Sequence, residues 1–256
     1  KKLQKWLLSS NKIQTVVISE ALRKVISDMH CVTNERIHVF HDAAREGQSC
    51  MTIEERLGAQ DKFLGIEIDL RQYEKVVGYF GHLYAGRGIE IIQALALKNP
   101  NHAFIVYGGN EEDIFAFKKK NPSKNLYFMG HISPEKVREA MAMMNILLMP
   151  YQKSVSIGLD GIDTAQWMSP MKLFEYMSVG VPFIASDLPV LNEVLKDRHN
   201  CLFVEPADVR AWSGALQELI NDEKLANTLA ENAHNEYKEF YTWSKRSERM
   251  LALTCK

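Results

Sequence analysis

The chain has 256 residues, with 31 Lys and Arg against 32 Asp and Glu, a formal charge of -1 and 46% hydrophobic residues. That length admits one large domain or two, and the ordinary balance of apolar and charged residues excludes a disordered chain, a collagen-like repeat or a long coiled coil. A charge near zero gives no electrostatic basis for nucleic acid as a partner, and no run of about 18 apolar residues offers a transmembrane segment.

The chain opens on Lys1-Lys2-Leu3, without an initiator Met or an apolar signal core, the start expected of a fragment. Thr15 to Ile18 is a β-branched run that reads as a strand. Ser19 then caps a helix whose Leu22, Val25, Ile26 and Met29 recur at helical spacing. Arg36 to Phe40 alternates as a short strand should. From about 42 to 65 the pattern dissolves, with one short helical stretch at 52–57, and a domain boundary is expected there. From Glu74 the chain settles into a rhythm. Strands are expected at 76–80, 103–107, 126–129, 146–149, 182–185 and 201–204, and helices at 88–98, 111–120, 134–144, 170–179, 189–195, 208–220 and 223–240. The strand runs are short, continuous and apolar, as in strands buried on both faces. Their alternation with helices implies right-handed βαβ units, so the expected fold class is α/β: a doubly wound parallel sheet, preceded by a short βαβ remnant of a second domain. Four cysteines, Cys31, Cys50, Cys201 and Cys255, lie far apart without a CxxC pair, which points away from zinc and disulfides and toward a reducing compartment.

In an open parallel sheet, ligands bind beyond the carboxyl ends of the strands. The first loop there runs from Gly78 through Gly81, His82, Gly86 and Arg87 to Gly88 and opens a helix. Its glycines allow close backbone approach, the helix start offers free N–H groups to an anion, and Arg87 adds a fork of donors suited to phosphate. The spacing is neither GxGxxG nor a P-loop. It reads as an anion site or as a flexible turn with a solvated arginine.

The second candidate is Ser169-Pro170-Met171-Lys172-Leu173-Phe174-Glu175. Ser169 fits an N-cap and Pro170 the first helical position, which would leave the Met171 and Lys172 N–H groups available. Lys172 suits phosphate, and the Glu175 carboxylate can accept both hydroxyl protons of a vicinal diol such as ribose. Standing alone, the same two residues also read as a surface pair worth a few tenths of a kcal/mol, roughly. Val106 to Asn110 and Met129 to Ile132 place glycines after strand ends, either against a flat base edge or as plain turns, and His131 by itself reads as structural. His38 and His41 face opposite sides of a strand, Asp160 to Asp163 lacks the remaining ligands of a calcium loop, and Met141, Met143 and Met144 read as packing. Ser154 and Ser156 have no nucleophile context. No metal site is expected.

Taken in order, Gly81 to Glu90, strand 103–107 with Gly108 and Gly109, Leu126 to Gly130, Ser169 to Met177 and Pro182 to Val194 resemble the nucleotide-sugar-binding half of family-4 glycosyltransferases with the GT-B fold. The match runs over about 74–240. The resemblance implies a Rossmann-like donor domain at 59–240, preceded at 1–58 by the tail of an acceptor domain and a linker. A C-terminal tail at 241–256 would pack back on the N-terminal part. It also implies transfer of a sugar from a UDP- or GDP-sugar to a glycan or lipid-linked acceptor, with retention of configuration and without cofactor or metal. The setting implied is cytoplasmic, with peripheral contact at the inner face of the membrane compatible with it.

On the matched positions, the donor diphosphate would meet Gly81, His82, Arg87, Met171 and Lys172, the ribose Glu175, and the base Gly108, Gly130 and His131. His82 stands where the family often has arginine. Glu175 matches the second Glu of the family's E-x7-E element, while Trp167 stands at the first, so this chain departs there. The catalytic residues are expected in the N-terminal domain, so the chain is expected to bind donor weakly and transfer nothing alone. A sugar-nucleotide epimerase of the same fold and a non-catalytic partner subunit are the alternatives. The missing GxGxxG and downstream ribose acid speak against a nicotinamide-dependent dehydrogenase.

Overall fold

The computed structural model describes residues 2–10, 13–47, 69–120, 123–156, 158 and 163–254. The expected boundary at 58/59 and the helical stretch at 52–57 lie outside the described residues. The N-terminal region holds helix α1 (Lys2–Ser9), strand β1 (Thr15–Val17), helix α2 (Glu20–His30) and strand β2 (Ile37–Val39). The two strands pair in parallel, Thr15 opposite Ile37 and Val17 opposite Val39. Ser19, extended at φ -153° and ψ 155°, caps α2 by accepting from Leu22 N. Helix α1 was not foreseen: no acidic residue marks its first turn.

The remainder forms one six-stranded sheet. Its strands are β3 (Lys75–Phe80), β4 (His102–Tyr107), β5 (Leu126–Gly130), β6 (Ile146–Met149), β7 (Phe183–Ser186) and β8 (Leu202–Val204). The order is β5-β4-β3-β6-β7-β8, and every pairing is parallel. This is the doubly wound arrangement anticipated from the apolar runs: all six residues of β4 and all four of β6 are buried. Helices α3 (Ile89–Lys98), α4 (Glu111–Lys120), α5 (Pro134–Ala142), α6 (Met171–Val179), α7 (Val209–Asn221), α8 (Glu223–Phe240) and α9 (Trp243–Thr254) follow in chain order. Two apolar clusters flank the sheet. Ile89, Ile92, Leu95, Trp212 and Leu216 of α3 and α7 belong to one, and Met141, Leu173, Phe174, Met177 and Tyr237 of α5, α6 and α8 to the other.

Three local differences from the sequence expectation have physical reasons. The expected helix at 189–195 is a run of turns, closed by Leu191 N to Leu188 O at 2.9 Å and Leu195 N to Leu191 O at 2.8 Å. Seven residues between Pro189 and the reversal at Asp197–Cys201 are too few to propagate a stable α-helical ladder. Helix α5 stops at Ala142 rather than 144, because Met144 N turns tightly onto Met141 O at 3.1 Å. Helix α6 starts at Met171 with Pro170, not Ser169, as its N-cap residue.

Candidate functional site

The switch point of the sheet lies between β3 and β6, where successive crossovers leave in opposite directions and a crevice opens beyond the strand ends. A cleft of about 820 Å³ sits there. Phe80 and Tyr107, the last residues of β3 and β4, stack with ring centroids 5.0 Å apart and line it. The loops above are laced together through their backbones: Gly81 N donates to Tyr107 O at 3.0 Å and Gly108 N to Gly130 O at 2.6 Å. Gly108 has φ 114°, and a Cβ there would come within 2.0 Å of Gly81 O, so only glycine allows the two loops this approach. On the other side of the switch point, Gln152 N donates to Gly86 O at 2.9 Å and Ser156 N to Ala85 O at 3.0 Å, joining the β3 loop to the β6 loop.

Helix α6 enters the cleft at its N-terminal end. Pro170 has no side-chain acceptor to offer, and the first bond of the helix is Leu173 N to Pro170 O at 2.9 Å. The N–H groups of Met171 and Lys172 have no acceptor among the described residues, and both residues line the cleft. The helix is pinned one turn further on by Tyr176, which is fully buried. Its hydroxyl accepts from Phe80 N at 3.0 Å and donates to Leu148 O at 3.2 Å, bridging β3 and β6 at the switch point. Burial pushes the Tyr176, Tyr151 and Tyr79 phenols up, so they act as neutral hydrogen-bonding groups.

Beside that pin, Glu175 turns into the cleft. Its Oε2 lies 2.7 Å from Lys172 Nζ, with both side chains 28% exposed. Although that is ion-pair distance, Oε2 is shielded from solvent and takes no hydrogen bond of good geometry. Arg87 belongs to the loop after β3, its guanidinium 4.9 Å from the Tyr151 ring centroid. Its Nε is likewise buried and unpartnered. Among the described residues four buried side chains carry a polar atom without a hydrogen bond of good geometry; Arg87 and Glu175 are two of them, Glu175 being held by its ion pair with Lys172.

Of the sequence candidates, Gly81, His82, Gly108, His131, Met171, Lys172 and Glu175 line the cleft, while Arg87 and Gly130 are not part of its lining. The His82 ring is stacked on Tyr84 at 4.8 Å, and its backbone oxygen accepts from Tyr79 Oη at 2.8 Å. Trp167 lies outside the cleft lining, in a turn whose carbonyl accepts from Ser19 Oγ at 2.9 Å. Ser169, expected to cap its own helix, instead accepts from Asp42 N at 3.2 Å. Helix α6 begins one residue later than the sequence pattern suggests, and this hydroxyl is taken by another segment. No group of three or more metal-ligating side chains occurs among the described residues, and no described helix is long and apolar enough to cross a membrane.

Several lining residues were invisible to sequence reasoning. Ala44, Arg45 and Glu46, Arg138 and Trp243 come from three remote segments. Arg138 Nη1 donates to Arg45 O at 3.1 Å and to Ser178 Oγ at 2.9 Å, tying residue 45 to the end of α6. Tyr176 had one usable signal: a tyrosine on the apolar face of a helix needs a partner for its hydroxyl when buried.

Residues 67–236 match the family described as Glycosyl transferases group 1. The chain is 24% identical over 184 residues to the alpha-galactosylglucosyldiacylglycerol synthase of Streptococcus pneumoniae, covering 69% of this chain and 45% of that protein. It spans 29%, 44% and 45% of the lengths of three curated glycosyltransferases it matches. Anabaena HepE, solved in complex with UDP, superimposes with a TM-score of 0.76 at 16% identity over 94% of this chain and 63% of that one. Sucrose-phosphate synthase from Thermosynechococcus elongatus superimposes at 0.73 and 17% identity, over 99% and 60%. These structural neighbours share the Rossmann-like half of a GT-B fold.

Proposed function

The chain belongs to the glycosyl transferases group 1 family, and from that membership we propose that its cleft binds the nucleotide-diphosphate moiety of a sugar donor. The observation that supports this reading most directly is the pairing, on one helix edge, of two open N–H groups with the Glu175 carboxylate. The N-terminal end of α6 suits the diphosphate, and Glu175, one turn on, suits the ribose diol. HepE, a neighbour of the same fold, is described in complex with UDP.

The chemistry follows from charge. When the bond between the anomeric carbon and the diphosphate oxygen breaks, the electron pair stays on the diphosphate and the sugar ring becomes cationic. The N–H groups of Met171 and Lys172, the Lys172 ammonium and the Arg87 guanidinium would stabilise that leaving group from fixed positions. Donor binding would then divide the Lys172–Glu175 pair, the ammonium turning to phosphate as the carboxylate takes the ribose hydroxyls. Gly81 and His82 would close over the diphosphate, and Gly108, Gly130 and His131 would meet the base. Retention of anomeric configuration, a glycan or lipid-linked acceptor, and the need for further residues before the bound donor is turned over complete the proposal.

Thermal melting with UDP, GDP and NAD tests it. Stabilisation by UDP or GDP but not by NAD is expected, with no sugar transfer by the isolated 256-residue chain. No shift with any nucleotide would favour a non-catalytic partner subunit instead.

A further inference from the structure

The loop that delivers helix α6 to the cleft is held by the N-terminal region at two points. Ser19 Oγ donates to Trp167 O at 2.9 Å, and Asp42 N donates to Ser169 Oγ at 3.2 Å. Neither anchor sits on a loose segment. Ser19 is buried and caps α2. The first two N–H groups of α2 are gripped by Glu193, Glu20 N to Oε2 at 2.7 Å and Ala21 N to Oε1 at 3.0 Å. On the other side, Arg246 donates through Nε to His41 O at 2.9 Å and holds Asp42 Oδ1 at 3.9 Å. The loop itself is a tight turn, with Met168 N on Thr164 O at 2.9 Å.

The Ser169 hydroxyl, two residues ahead of the helix, therefore acts as an acceptor for a remote backbone donor. The cap position falls to Pro170, which makes no side-chain cap bond. We propose that Ser169 is a positioning residue for the diphosphate end of the cleft: its bond to Asp42 N–H fixes where α6 begins while leaving the Met171 and Lys172 N–H groups to the ligand. The inference rests on the nucleotide reading and adds a coupling to it, because the N-terminal region sets the geometry of the anion-binding end through the Ser169 hydroxyl. Glu175 lies directly beside the Tyr176 pin, more than a turn into the helix, where that pin rather than the Ser169 bond holds the backbone.

The experiment compares a nucleoside diphosphate with its nucleoside. UDP, UMP and uridine affinities, with GDP and guanosine as a second series, are measured by calorimetry on the full chain and on Ser169→Ala and Ser169→Thr. Loss of one hydrogen bond of ordinary strength predicts about a 3- to 10-fold weaker diphosphate affinity for Ser169→Ala, with nucleoside affinity within about twofold of the parent. Ser169→Thr, which keeps the hydroxyl, is expected to restore the diphosphate-to-nucleoside ratio. An unchanged ratio in Ser169→Ala, or equal losses for diphosphate and nucleoside, would overturn the inference while leaving the nucleotide reading intact. A parent chain that binds neither series would overturn both.

Discussion

Helices α2 and α6 begin within one network of hydrogen bonds and do so in opposite ways. At the start of α2 the Glu193 carboxylate takes Glu20 N and Ala21 N, and the Ser19 hydroxyl takes Leu22 N. At the start of α6 a proline occupies the cap, and the N–H groups of Met171 and Lys172 find no protein acceptor. Both ends carry the same partial positive charge. One is neutralised from within the chain by a carboxylate 13% exposed, and so serves only to join two regions. The other opens onto the cleft with its charge uncompensated. The two helix starts differ in whether the fold supplies acceptors for them, not in the helices themselves.

The sharpest way to break the contrast is at the carboxylate beside the open end. Glu175→Ala should weaken UDP or GDP binding by about 10- to 150-fold, the equivalent of roughly 1.5–3 kcal/mol for charge-assisted bonds. Calorimetry checks it, and unchanged affinity would remove Glu175 from the site. A matched pair of proline substitutions comes next. Met171→Pro deletes one open N–H at the first helical position, where proline is tolerated, so nucleotide diphosphate affinity should fall about 10-fold with little change in urea stability. Glu20→Pro deletes the equivalent N–H of α2 and strips Glu193 of one partner. It should cost about 1–2 kcal/mol of stability and lower nucleotide affinity much less than Met171→Pro does, because it reaches the α6 loop only through the Ser19 anchor. Identical behaviour of the two variants would erase the distinction between the helix starts.

The smallest expected effect is with pH. Burial holds the His102 and His234 imidazoles below their ordinary value of 6.5. The folded chain then binds fewer protons than the unfolded chain just below that value. Stability should rise with pH through the window beneath 6.5 and level off above it. Urea unfolding at about pH 5 and pH 7.5 measures the difference, and His234→Gln should flatten it. A stability that falls across this window would contradict the direction of both shifts.

Much of this site could be read from residue order. The apolar, unbroken runs at 103–107 and 146–149 meant strands covered on both faces, and they are buried throughout. The glycines at 81, 86, 88 and 108 signalled close backbone approach. Gly88, at φ 78°, bears this out, since a Cβ there would come within 1.9 Å of Pro150 O. Lys172 and Glu175 fall on one helix edge by spacing alone and do so in the structure. Ser169 could not be assigned from spacing. Its hydroxyl had two possible destinations, its own helix or a distant chain segment, and only packing brings Asp42 within 3.2 Å. The turns at 189–195 hid for a related reason: local propensity does not register that the chain must reverse at once to place Glu193 under α2.

Local chemistry thus determined the element types, the parallel sheet and the helix edge that bears a cation and an acid, because those depend on periodicity and on backbone limits within a few residues. Tertiary structure alone decided which helix start is sealed and which is open. The Glu193 cap of α2 and the Asp42 N–H that draws the Ser169 hydroxyl away from α6 lie 172 and 127 residues from Ala21 and Ser169, and no short-range pattern encodes a hydrogen bond across that separation.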